Sequence, residues 1–156
     1  MGNEFDIVLE LLQRYGLRIG EILSLRHERI VAGVMIFQGE KGSRDRYVND
    51  QEILAAIRRV CGEFASGKVF TLNYWDVYRE ATKRGLTMNG IKRRRVTTRF
   101  RHEFIRRRYE QGVPISDIKE EVGHKRLETT AYYLTNPPAY PPRDEPDGPE
   151  THRTFP

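Results

Sequence analysis

The chain has 156 residues, enough for one domain with a single modest core, and its 38% hydrophobic and 31% charged residues are those of an ordinary soluble globular protein. A formal net charge of +5 favours a polyanionic partner, nucleic acid or an anionic surface alike, while the lack of any run near 18 apolar residues argues against a membrane span. The single cysteine, Cys61, excludes an internal disulfide framework, and residues 1–6 (MGNEFD) lack the basic and apolar regions of a secretory leader, so the expected location is cytoplasmic, or nuclear in a eukaryotic host.

Apolar residues at helical spacing (Phe5, Ile7, Val8, Leu11, Leu12, Tyr15) predict a first helix closed by Gly16. A second short helix is expected over 19–25. Val34-Met35-Ile36-Phe37 and Arg46-Tyr47-Val48 flank the turn-forming run Gly39-Glu40-Lys41-Gly42-Ser43, which predicts a β-hairpin with Lys41 at its tip. Residues 51–61 are amphipathic and helical. Asn73 and Asp76 have the spacing of an N-cap and its acidic third residue, opening a helix through Lys83 that Gly85 ends. Three more helices are expected over 97–111, 116–122 and 128–134, separated by Gly112-Val113-Pro114 and by Gly123. The fold class is therefore mainly α with one small antiparallel β-sheet.

Composition changes abruptly at Pro137. Residues 137–156 hold seven of the eight prolines and a net charge of −2, so they predict an extended or disordered tail, and the body, residues 1–136, carries +7. Within the body, nine Lys or Arg and one acid lie between Lys92 and Arg108. A solvated face is the plain reading of such a run, but its density favours contact with phosphates through Lys92, Arg93, Arg94, Arg95, Arg106 and Arg107.

Three short stretches carry a more specific message. Tyr15-Gly16-Leu17-Arg18-Ile19-Gly20-Glu21-Ile22-Leu23 stands near the start, Thr98-Arg99-Phe100-Arg101-His102 inside the basic run, and Gly123-His124 nine positions before Tyr133. In order and spacing the chain resembles the catalytic domain of the tyrosine recombinases, the phage integrase family, across residues 15–133. The resemblance implies that Arg18 and Arg101 are the two phosphate-binding arginines, Lys41 the hairpin lysine, His124 the later histidine and Tyr133 the nucleophile, with Glu21, Thr98 and His102 in support. It also implies double-stranded DNA as the partner and self-association into a tetramer on paired sites; most members of the family carry an amino-terminal clamp domain as well, so the chain is expected to be either a catalytic fragment or a minimal form. No cofactor or metal is called for, and no His or carboxylate cluster has a metal-ligand spacing.

The chemistry implied explains the residue types. A strand can be cut without losing bond energy if its phosphodiester is passed to a protein hydroxyl, and a phenolate leaves readily when the strand is rejoined. Negative charge on the non-bridging oxygens of the transition state suits two permanently charged, bidentate arginines and a histidine donor. Lys41 would protonate the departing 5′ oxygen. Glu21, three residues after Arg18, would orient it. Nine residues at about 100° each would leave His124 and Tyr133 on opposite faces of one straight helix, so the break at Gly123 is what lets them meet. On the last helix Thr130 and Tyr133 share a face while Tyr132 points about 100° away, which makes Tyr132 a packing residue. Thr98 stands where the family pattern has histidine. Two rival readings follow: a type IB topoisomerase or telomere resolvase of the same fold, and a catalytically impaired DNA-binding module.

Overall fold

The computed structural model of the chain describes residues 1–40, 42–86 and 98–135, Thr98 by its backbone alone. The expectations for Lys41, for Lys92, Arg93, Arg94 and Arg95, for the Thr98 side chain and for the tail 137–156 fall outside the described residues.

Helix α1 (Glu4–Tyr15) starts where the Asn3 side chain accepts from the Asp6 amide at 3.0 Å, with the Asp6 carboxylate accepting from the Asn3 amide in return. It ends at Gly16, whose left-handed φ of 60° turns the chain sharply into α2 (Ile19–Leu23). One face of α1, Phe5, Ile7, Val8, Leu11 and Leu12, is buried. A 3₁₀ turn, His27–Arg29, leads into a three-stranded antiparallel sheet of β1 (Ile30–Val31), β2 (Val34–Phe37) and β3 (Arg46–Val48), in that spatial order. Ala32 and Gly33, both at positive φ, make the tight β1–β2 turn. The hairpin expected from sequence is β2–β3, in which Ile36 faces Tyr47; β1 is an addition to it. Met35, Phe37 and Val48 point into the core while Tyr47 faces solvent, the two-residue period of a half-buried sheet.

Helix α3 (Gln51–Cys61) is capped by the Asp50 carboxylate, and α4 (Tyr74–Lys83) by the Asn73 and Asp76 pair that the sequence predicts. Helices α5 (Thr98–Glu110), α6 (Ile115–Val122) and α7 (Leu127–Thr135) complete the described fold. Two apolar clusters result. The larger joins α1, α2, the sheet, α3 and α4, and takes Phe100 from α5. The smaller contains Phe104 and Ile105 of α5, Ile118 and Val122 of α6, and Tyr133 of α7. Each fully buried Leu, Ile or Phe contributes about 1.5–3 kcal/mol, so the larger cluster dominates stability. Helix α5 packs on both α1 and α7 and so spans the two. Among the described residues, no helix is long and apolar enough to cross a membrane.

Candidate active site

Of the residues singled out by their spacing, Arg18, Glu21, Arg101, His102, His124 and Tyr133 are buried. Arg18 is 2% exposed and stands immediately before α2. The Glu21 carboxylate reaches back one turn, accepting from the Arg18 amide at 2.9 Å and lying 3.6 Å from its guanidinium. Glu21 thereby caps the short helix and neutralises the arginine beside it, which is how a buried guanidinium is tolerated. Arg18 Nη1 also donates to the Ser43 hydroxyl, tying α2 to the β2–β3 connection.

That connection is held on both sides of position 41. Glu40 lies over Gly20, where a Cβ would come within 2.0 Å of its carboxylate, and Gly42 lies beside the Lys125 ammonium. The neighbouring cations have other partners: Arg44 pairs with Glu120, and the buried Arg46 donates to the Tyr15 carbonyl at 2.9 Å.

Arg101, 1% exposed on α5, explains how the two halves of the site are joined. Its Nη1 donates to the Gly16 carbonyl at 2.8 Å and its Nη2 to the Val122 carbonyl at 2.6 Å. These carbonyls lie at the carboxy-terminal ends of α1 and α6, where the backbone runs out of intrahelical donors and the helix dipole is negative. One guanidinium therefore closes two helix ends while its own charge is stabilised by both.

Beyond Val122 the chain makes a Schellman turn. The Gly123 amide donates to the Glu120 carbonyl at 3.2 Å and the His124 amide to the Lys119 carbonyl at 3.0 Å, with Gly123 at φ 79°. The turn delivers His124 against α7, where its ring stacks on Tyr133 with centroids 5.5 Å apart. His102, the residue after Arg101, meets the same ring at 4.7 Å. Tyr133 thus lies against two imidazoles and is fully buried. Thr130 and Tyr133 are the two buried residues of α7, while Tyr132 is half-buried and touches Tyr133 edge-on, the arrangement expected from helical periodicity. His124 Nδ1 lies 2.8 Å from the Thr130 hydroxyl.

The structure thus gathers Arg18 with Glu21, and Arg101, His102, His124 and Tyr133, around the ends of α1 and α6. It does not bring Arg106 or Arg107 there. They follow Arg101 by five and six residues, about 120–140° around α5. Arg107 donates to the Gln13 carbonyl and lines an open groove of about 610 Å³ with Tyr15, Arg46 and Phe104, a groove that Arg18, Arg101, His124 and Tyr133 do not line. Ser43 and Thr130 are contributors that sequence spacing did not assign a role. Thr130 had one signal, its position three residues before Tyr133. A buried cluster of this kind, rich in guanidinium and imidazole donors, suits an anionic group.

A family model described as the phage integrase family matches residues 4–139. A protein named tyrosine recombinase from Pseudothermotoga lettingae is 33% identical over 146 residues, covering 86% of this chain and 50% of that protein. Tyrosine recombinase XerA of Thermococcus kodakarensis is 29% identical, covering 81% of this chain and 49% of its own length. The chain therefore spans about half the length of these curated relatives. A crystal structure of XerA recombinase shares the fold with a TM-score of 0.61 at 19% identity, over 84% of this chain and 53% of that one.

Proposed function

Since the chain belongs to the phage integrase family, we propose that it cuts and rejoins DNA strands at specific sites through a covalent bond to Tyr133. The Tyr133 oxygen attacks the scissile phosphorus, the bond from phosphorus to the 5′ oxygen breaks, and a 3′-phosphotyrosyl ester forms. Lys41 gives its proton to the departing 5′ oxygen. Rejoining runs the same steps backwards, with the 5′ hydroxyl of a DNA strand as nucleophile and the tyrosine as leaving group.

Arg18 and Arg101 hold the non-bridging oxygens. A guanidinium carries five donors in one plane, so anchoring Arg101 on two carbonyls is compatible with phosphate contact. Those anchors fix its position before DNA arrives, which is where electrostatic stabilisation gains its strength. His124 donates to the same oxygens, and His102 supports Tyr133. The phenolic proton of Tyr133 passes to solvent as its oxygen attacks, and the arginines and imidazoles facing the phosphate stabilise the charge that develops. Because Tyr133 is buried, its attack requires α7, or groups covering it, to move when DNA binds. Lys92, Arg93, Arg94, Arg95, Arg106 and Arg107 contact the flanking backbone. The partner is double-stranded DNA, engaged by a tetramer on paired sites, in the cytoplasm or in a eukaryotic nucleus. Residues 1–136 are the catalytic body of this reading, and the proline-rich 137–156 take no part in the chemistry.

The observation that carries this reading is the placement of Tyr133 against His102 and His124, beside the arginine that joins α1 to α6. A nicked duplex traps the adduct, because the short strand released after cleavage diffuses away. The chain forms a 3′-phosphotyrosyl adduct on such DNA; Tyr133→Phe abolishes it while salt-dependent DNA binding persists, and Tyr132→Phe retains it. An adduct formed by Tyr133→Phe refutes the assignment. Binding without any adduct in the unaltered chain would establish the DNA-binding module instead. Relaxation of supercoiled plasmid without exchange between two sites would establish the topoisomerase reading.

A further inference from the structure

We infer that Thr130 is a positioning residue for His124, fixing which ring nitrogen carries the proton. The inference rests on the proposed role of His124 as a phosphate donor. A neutral imidazole donates from one nitrogen and accepts at the other, and the partner of Nδ1 decides which. To donate to a phosphate oxygen from the edge opposite Thr130, the ring must carry its proton on Nε2. With the proton on Nδ1, the lone pair of Nε2 would face the phosphate and repel it.

The buried hydroxyl of Thr130 settles the direction of its 2.8 Å contact with His124 Nδ1. Other helical hydroxyls in this chain send their proton back to a carbonyl: Thr82 to Tyr78 at 2.9 Å and Thr135 to Ala131 at 3.4 Å, with Ser24 making the equivalent bond to Gly20. Among the described residues, the contact recorded for Thr130 is with the imidazole and with no carbonyl. If Nδ1–H donated to the oxygen, the hydroxyl proton would be buried with no acceptor, at the full desolvation cost of an unmade hydrogen bond. If the hydroxyl donates to Nδ1, both groups are satisfied and Nε2 carries the proton. Thr130 stands on the inward face of α7 with Tyr133, one turn away. The same helix that carries the nucleophile therefore sets the protonation of the histidine stacked on it.

The test reads the ring directly. Long-range ¹H–¹⁵N correlation spectra of the ¹⁵N-histidine-labelled full chain distinguish the two tautomers, and the four histidines are assigned by single substitution. At neutral pH without DNA, His124 is expected in the Nε2–H form. Thr130→Val, which keeps the shape and removes the hydroxyl, shifts it toward a mixture, and Thr130→Ser restores it. On nicked DNA, Thr130→Val forms the covalent adduct at least roughly tenfold more slowly, the low end of the loss seen when a group orienting a functional imidazole is removed. Thr130→Ser recovers most of that rate, and binding is unchanged in both. An Nδ1–H tautomer in the unaltered chain, an identical tautomer in Thr130→Val, or a rate loss that Ser fails to restore would each overturn the proposal. An unaltered chain that forms no adduct, yet shows the tautomer shift in Thr130→Val, would remove the recombinase reading and leave the positioning contact standing.

Discussion

The two apolar clusters of this molecule are built from similar residues and do different work. The larger is apolar throughout, assembled from α1 to α4 and the sheet with Phe100 of α5, and among the described residues no expected catalytic side chain belongs to it. The smaller has five buried members, and one of them is Tyr133 itself. In the first region a residue is buried to stabilise the fold. In the second, the group proposed to attack DNA is also a core residue, so packing and chemistry are coupled there. Stability and activity should therefore respond differently to the same kind of change, according to which cluster receives it.

The comparison can be broken most directly by truncating one residue in each region. Leu11→Ala, at a fully buried position of α1, is expected to lower global stability by roughly 3–5 kcal/mol, read as the denaturant midpoint of the whole chain. Ile118→Ala, equally buried in α6, is expected to cost less, roughly 2–3 kcal/mol, because fewer buried side chains surround the gap in the smaller cluster. Its signature is local: amide hydrogen exchange should accelerate in α6 and α7 while α1 and α3 keep their protection. Uniform acceleration across all helices would mean that the two clusters melt as one and that the contrast is false.

A smaller effect sharpens the boundary between the regions. The Tyr15 hydroxyl donates to the Asp50 carboxylate at 2.7 Å, and Arg14 pairs with the same group, so α1 is clasped to the cap of α3. Burial first, and then the neighbouring carboxylate, push the Tyr15 hydroxyl up to about 12. The unfolded value is near ~10, so between the two the folded state keeps a proton that the unfolded chain releases. The contribution is therefore complete below pH ~10 and is lost as pH rises through about 12. Tyr15→Phe is expected to lower stability by about 1 kcal/mol at neutral pH, and the gap in melting temperature between the two proteins should close over that alkaline window. A gap that stays constant to the top of the window would show that the hydroxyl makes no net contribution.

Most of the architecture was legible because its signals are local. Gly16 and Gly123 end helices by adopting the left-handed conformation, and Asn73 with Asp76 opens α4, as their positions in sequence indicate. Strand β1 was not legible: two residues cannot show an alternation, and Ile30 pairs with Met35 only because Ala32 and Gly33 turn the chain back. The order and spacing of Arg18, Arg101, His124 and Tyr133 gave the outline of the site. What holds it together did not follow from spacing. Arg101 meets Gly16 and Val122 across 85 and 21 residues, and Ser43 meets Arg18 across 25. Such contacts arise from tertiary packing, which no window of sequence contains. Thr130 illustrates the limit, since its face was predictable and the hydroxyl's partner was not.

The double anchor of Arg101 makes the site conditional in a logical sense. Its guanidinium is in place only when the end of α1 and the end of α6 are both docked, so it works as a conjunction of two folding events. Undocking either end releases the arginine and scatters the side chains gathered around it, even while most of the helical structure survives. Loss of the proposed DNA cleavage should then precede loss of helical signal along any denaturation path, and the adduct assay becomes the more sensitive reporter of whether this chain is fully assembled.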